Sequence, residues 1–321
     1  MRKIIKTLLG IGGAFCLIGA LLFSIGFTSG GTKYVHDTNL NSMNAQEDNK
    51  ESANRFTLKK TEIPDFTSLN INLEDSDLNI EESPNEKSYI EYAQATKDKK
   101  NPVSYSIENG TLTLKEAGNT GASYYINVDI SFLQAALSSK NIEDYTKESS
   151  KYENYVTLYL PKDKLVSSAK IYLGYGDFYV KNATFDTTNI KLDDGDFDAN
   201  TLTANSGKLT FSYGDCDLQK ASLGNISLTS KDGDLTVNEL TLSGKTKIAL
   251  SYGDAEITLN DSTKKVSGFG LATHYGTITA SGLNGNKTLD EDDDVNTFQS
   301  DSKDGKTKLA IDSKDGDITV K

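Results

Sequence analysis

The densest potential chemistry in this chain is a set of five aspartates, Asp177, Asp196, Asp215, Asp234 and Asp254, each directly after a glycine. Those glycines, Gly176, Gly195, Gly214, Gly233 and Gly253, recur at a near-constant interval, the mark of a stacked-repeat architecture. If the spacing stacks them, the carboxylates become like charges one strand apart, about 4.8 Å. Calcium, a hard cation that takes oxygen ligands, would relieve such a row. The competing chemistry is a corner: glycine reaches φ > 0 at little cost, and the Asp that follows bonds nearby backbone groups. The corner is the preferred reading, because the short glycine-rich nonapeptide of calcium β-rolls is missing.

The residue before each glycine runs Tyr175, Asp194, Tyr213, Asp232, Tyr252. Alternation keeps this second row of carboxylates from stacking directly. It also sets Tyr175, Tyr213 and Tyr252 on every second coil, about 9–10 Å apart. Such a row is either an aromatic ladder for a glycan or a partner, or a set of rings packed against neighbouring turns; packing is the plainer expectation.

No catalytic residues are nominated and no cofactor is expected. His36 and His274 lie far apart, and no metal-ligand spacing surrounds either. Cys16 sits in an apolar segment and Cys216 at a core position, so no disulfide is expected. Arg2 and Arg55 are the only arginines, which leaves a phosphoryl-transfer or sugar-acid site short of its usual bidentate clamp. Tryptophan is absent, so tyrosines must supply any sugar-stacking surface. The net charge of −12 argues against nucleic acid as a partner and against electrostatic binding to anionic lipid.

The elements that carry these rows follow from the apolar positions. The corner phrase returns at Gly276 and Gly316 after wider gaps, the last of them double the regular interval. Five positions before each glycine stands Ile or Leu: Ile171, Ile190, Leu209, Leu228, Ile248, Leu271 and Ile311. Two positions after it stand Phe178, Phe197, Cys216, Leu235, Ala255, Ile278 and Ile318; four after it stand Val180, Ala199, Leu218, Val237, Ile257, Ala280 and Val320. Period-two alternation on both sides of a corner reads as strand, corner, strand and return loop. One such unit cannot bury its apolar side alone, and stacked units can. The expected fold is all-β, a parallel β-solenoid of coils about 19–20 residues long.

Upstream, residues 1–6 form a basic tip and residues 7–32 carry no charge. The apolar core of that run is long enough to cross a hydrocarbon layer of about 30 Å as a helix. With the basic flank inside, it reads as an uncleaved anchor that leaves the C-terminal domain outside the cell; a cleaved signal peptide is the alternative. Residues 33–55 are polar and read as a stalk. The solenoid is expected over 56–321. Ser76 fits the glycine slot, with Leu78 and Ile80 after it, and so does Gly110, with Leu112 and Leu114 after it. Insertions are expected at about 115–154, as a partner-binding projection or an edge cap, and at 283–305, around the acidic run Asp290 to Asp294.

The anchor, the Ser76-Asp77-Leu78-Asn79-Ile80 strand, the Val156-Thr157-Leu158-Tyr159-Leu160-Pro161 step and the following Gly-Asp repeats resemble a bacterial putative-adhesin family of unknown function. That family includes LiaG-type membrane-anchored accessory proteins of Gram-positive envelope-stress operons. The resemblance implies a β-solenoid facing the cell wall, and carries no agreed catalytic residues. The expectation is a non-enzymatic surface module that binds or senses an envelope component or a membrane protein partner. The alternatives are a polysaccharide-acting β-helix enzyme, a calcium-binding adhesin and a structural spacer.

Overall fold

The structure is a computed structural model, and it describes residues 54–96, 101–116, 154–290 and 294–321. The expected anchor at 7–32, the stalk to residue 53 and most of the 115–154 insertion lie outside the described residues. Among the described residues no helix is long and apolar enough to cross a membrane.

Most coils hold two strands joined at a Gly-Asp corner; Ser76-Asp77 and Gly276-Thr277 take its place in two others, and the coil of Thr111–Glu116 and Tyr155–Leu160 is built from strands far apart in the chain. The first strands pair in parallel in the spatial order Thr111–Glu116, Ser68–Leu73, Leu165–Tyr175, Ala183–Asp194, Leu202–Phe211, Ala221–Asp232, Lys245–Tyr252, Lys308–Asp315, Gly268–Tyr275. The second strands follow in the same order: Tyr155–Leu160, Asp77–Glu82, Phe178–Val180, Phe197–Ala199, Cys216–Leu218, Leu235–Leu242, Ala255–Leu259, Ile318–Val320, Ile278–Ala280. The result is an all-β, solenoid-like stack of coils with an open sheet. Its core is one continuous cluster. All the apolar positions that flank the seven glycines are buried except Ala280, which sits half-buried at the edge of the core.

Chain order and spatial order agree from residue 165 to 259 and part at both ends. At one end, the coil of residues 68–82 lies inside the coil built from 111–116 and 155–160. At the other, the C-terminal coil of 308–320 is wedged between 245–257 and 268–280. The wide gap before Gly316 is therefore more than an insertion in a regular series. Gly316 stacks on Gly253, skipping the coil of Gly276 that lies between them in the chain, and Gly276 stacks on Gly316.

Both ends are closed by antiparallel strands. Ser88–Thr96 pairs with Tyr155–Leu160, Asn54–Ile63 with Ser88–Thr96, and Val103–Glu108 with Thr111–Glu116. Gly110 is thus not a coil corner: Asn109 and Gly110, at φ 50° and 73°, make the turn of a β-hairpin. Leu112 and Leu114 are buried as expected, but on the first strand of a coil and not the second. Asn-Gly between alternating apolar residues is the strongest short-range hairpin signal, and it outweighs the coil template here. The 283–305 segment also forms a hairpin, Asn286–Asp290 with Val295–Ser300, which covers Gly268–Tyr275. Unpaired strand edges invite aggregation, and these added strands cover the first-strand edges of both terminal coils.

Candidate functional site

The corner glycines form a column because neighbouring coils approach too closely for any side chain. A Cβ at Gly214 would lie 2.3 Å from the Gly195 carbonyl oxygen, and Gly214 also holds φ at +115°. Gly176 shows that approach, not torsion, is the common constraint: its φ is not left-handed, yet a Cβ there would lie 2.5 Å from the Ser76 carbonyl. Ser76 fills the glycine slot as the sequence predicts, and is fully buried.

The aspartates after the glycines bond between coils. The N–H of Asp177 donates to Asp77 Oδ1 at 2.9 Å, and those of Asp196, Asp215, Asp234 and Asp254 each donate to the preceding Asp Oδ1 at 2.8 Å. Asp317 donates to Asp254 and Thr277 to Asp317, each at 2.7 Å. Every Asp in this row accepts from a coil stacked on it. Thr277, on the coil with no further repeat beyond, has no such N–H to receive. Five of these carboxylates were the calcium candidates; one oxygen of each is committed to a backbone N–H. Among the described residues no three His, Cys, Asp or Glu side chains are gathered so as to hold a metal ion.

At the other end of the column Glu116, the last residue of the terminal coil's first strand, bonds the groups that a Gly-Asp corner meets elsewhere. Its Oε2 accepts the N–H groups of Glu74 at 2.7 Å and Asp75 at 3.0 Å, and its Oε1 accepts from Ser76 Oγ and Gln94 Nε2. Burial pushes the Glu116 carboxyl above its ordinary value, against the pull of those backbone bonds. Sequence reading missed this residue, since a lone Glu at a strand end carries no pattern.

The outer row is where tertiary structure adds most. In chain order the residues before the glycines read Tyr175, Asp194, Tyr213, Asp232, Tyr252, Tyr275, Asp315, and the alternation fails at its end. In space the wedged coil puts Asp315 between Tyr252 and Tyr275. With Asp75 before Ser76, the row becomes Asp75, Tyr175, Asp194, Tyr213, Asp232, Tyr252, Asp315, Tyr275, an unbroken alternation. The four tyrosines are 57, 47, 57 and 67% exposed, so each keeps about half or more of its surface open to a ligand, where the plainer expectation had the rings packed against neighbouring turns. Tyr275 joins the three that the sequence singled out.

Beside Tyr175 and Tyr213 lies a groove of about 450 Å³. Tyr172 also lines it, and its hydroxyl donates to Asp193 Oδ2 at 2.9 Å. Burial and that carboxylate push the Tyr172 phenol up to about 12. Lys191, 2.7 Å from Asp193 Oδ1, holds the Asp193 carboxyl below its ordinary value. Lys231 donates to the Tyr213 hydroxyl at 3.0 Å and lies 4.8 Å from its ring centroid. Cys216 is buried in the core, where desolvation pushes its thiol far up, and His274 is exposed beside Tyr275.

Stacked parallel coils, a glycine column and an exposed Tyr–Asp row define a repetitive, surface-presenting β-solenoid-like domain. The chain matches the Toastrack DUF4097 family over residues 66–321 and belongs to that family. A putative cell adhesion protein from Clostridium sporogenes is 13% identical, with 82% of this chain and 99% of that one covered and a TM-score of 0.35. A putative adhesin from Bacteroides fragilis is 12% identical, with 83% and 97% covered and a TM-score of 0.39. No curated protein is significantly similar to the chain.

Proposed function

We propose that this protein is a non-enzymatic, membrane-anchored adhesin-type module that presents its solenoid outside the cell and engages an envelope component. The observation that carries the reading is the outer row: its corners alternate carboxylate and exposed tyrosine along one line of the solenoid. Tyrosine combines a large stacking surface with a polar tip, and repetition lets many weak contacts add. The carboxylates beside the row are mostly engaged: the inner Asp row binds backbone N–H groups, and Asp193 is held by Tyr172 and Lys191. That arrangement suits a preorganised binding surface. The uncharged run at 7–32 behind a basic tip supports anchoring with the solenoid on the outer side. A role in envelope stress rests on the resemblance to LiaG-type proteins.

The test is co-sedimentation of the detergent-solubilised full chain with isolated envelope fragments. The expected result is sedimentation that is lost when Tyr175, Tyr213, Tyr252 and Tyr275 are replaced together by Ala. Failure of the unmodified chain to sediment overturns the reading, as does covalent change in the fragments that depends on the protein.

A further inference from the structure

The groove beside Tyr175 and Tyr213 has a shape that the repeat rule explains. Two positions before each corner glycine the coils carry Glu74, Gly174, Asp193, Ser212 and Lys231 in spatial order. Gly174 and Ser212 are small, so a trough opens on both sides of Asp193 with Glu74 and Lys231 at its two ends. Tyr172, Tyr175 and Tyr213 line it as well, and all of these residues belong to one continuous cavity. The trough crosses successive coils, so a bound chain would lie along the solenoid axis. Its volume falls within the range of small-ligand sites, roughly 300–1,000 Å³.

Resting on the adhesin-type reading above, we infer that this groove binds an uncharged oligosaccharide, with Tyr175 and Tyr213 stacking on sugar rings and Asp193 and Lys231 bonding their hydroxyls. Three features choose that ligand class. Tyr175 and Tyr213 are separated by two coil spacings, about 9.6 Å, which is comparable with the repeat of an extended β-1,4-linked disaccharide. Asp193 is fixed by Tyr172 Oη on one oxygen and by Lys191 and Ser212 on the other, so its remaining lone pairs are oriented without further ordering cost. Glu74, Asp193 and Asp194 outnumber Lys231 and the already paired Lys191, so a polyanion is repelled and a neutral polyol is not.

The experiment is calorimetric titration of the detergent-solubilised full chain with three soluble probes: an N-acetylglucosamine tetramer, a galacturonic acid tetramer and a tetralysine peptide. The expected result is binding of the uncharged tetramer alone. Tyr213→Ala and Asp193→Asn should each weaken it about tenfold, with thermal midpoints close to the unmodified chain, and Tyr275→Ala at the far end should leave it unchanged. Preference for tetralysine, preference for the anionic tetramer, no binding of the uncharged tetramer, or equal binding by Tyr213→Ala would each overturn the inference. The two readings fail separately. A chain that still sediments with envelope fragments when Tyr213 is Ala and that ignores the soluble tetramer keeps the surface role and loses the groove. A chain that binds the tetramer but does not sediment keeps the groove and loses the envelope role.

Discussion

Asp194 and Asp196 stand one on each side of Gly195, yet they belong to different parts of the molecule. Asp196 is in the inner row, where its N–H reaches Asp177 and its carboxylate takes the N–H of Asp215. Asp194 is in the outer row, between Tyr175 and Tyr213, and faces the groove. The inner row is uniform because every coil must satisfy the same backbone group. The outer row alternates because nothing in the backbone requires a given side chain there, and because carboxylates in adjacent coils repel. Substitution should therefore cost stability in the inner row and recognition in the outer one.

The largest effect belongs to the glycine column. Gly214→Ala puts a Cβ against the Gly195 carbonyl and strains a left-handed backbone. A loss of more than about 3 kcal/mol is expected in urea unfolding. A loss under about 1 kcal/mol would show that the coils separate easily and that the column is not what fixes their spacing.

The end of that column comes next. Glu116→Ala leaves the N–H groups of Glu74 and Asp75 without their buried acceptor, at an expected cost of about 2–3 kcal/mol. The pH dependence has a defined sign. Burial raises the folded-state carboxyl above its unfolded value, so the folded protein binds the proton more tightly. The stabilisation is full below the unfolded value and is lost as pH rises through the folded one. Glu116→Gln should flatten the fall in thermal midpoint across that window. An unchanged pH profile would place the titration on another group.

A smaller loss, about 1 kcal/mol, is expected for Asp215→Ala, which removes one inter-coil acceptor. Asp215→Asn keeps an acceptor oxygen and should sit near the unmodified protein. Millimolar calcium should leave the melting midpoint where it is; a rise of many degrees would return the inner row to metal chemistry.

The smallest effect is in the outer row. Tyr252→Ala removes an exposed ring, and the stability change should stay within about 0.5 kcal/mol. A drop several times larger in equilibrium unfolding would mean that the ring packs the corner in solution, and the contrast between the rows would collapse.

Individual residues show where the sequence was legible. Phe178, Phe197 and Leu209 announced their burial through period-two alternation, and Gly176 through Gly253 announced a column through their spacing. These are local or nearest-neighbour relations, set by where a residue falls in one coil. Ser76 was recoverable because Leu78 and Ile80 completed the template around it. Gly110 was misplaced because the same alternation also describes a hairpin, and only the Asn109-Gly110 dipeptide tells the two apart. Glu116 and the Tyr172–Asp193 pair had no repeat to mark them, since each depends on which neighbour a particular coil meets.

The sequence alone determined the coil, its two strands, its buried face and its corner, because those depend on side-chain period and on the torsions open to glycine and aspartate. The stacking order at the two ends was decided by tertiary structure. Residues 308–320 have the same pattern as any other coil, and local pattern does not say which open edge such a coil will join. Long-range edge pairing, which set Gly316 on Gly253 and not on Gly276 alone, made that choice. It also placed Asp315 between Tyr252 and Tyr275, turning a broken alternation in the chain into a continuous one on the surface.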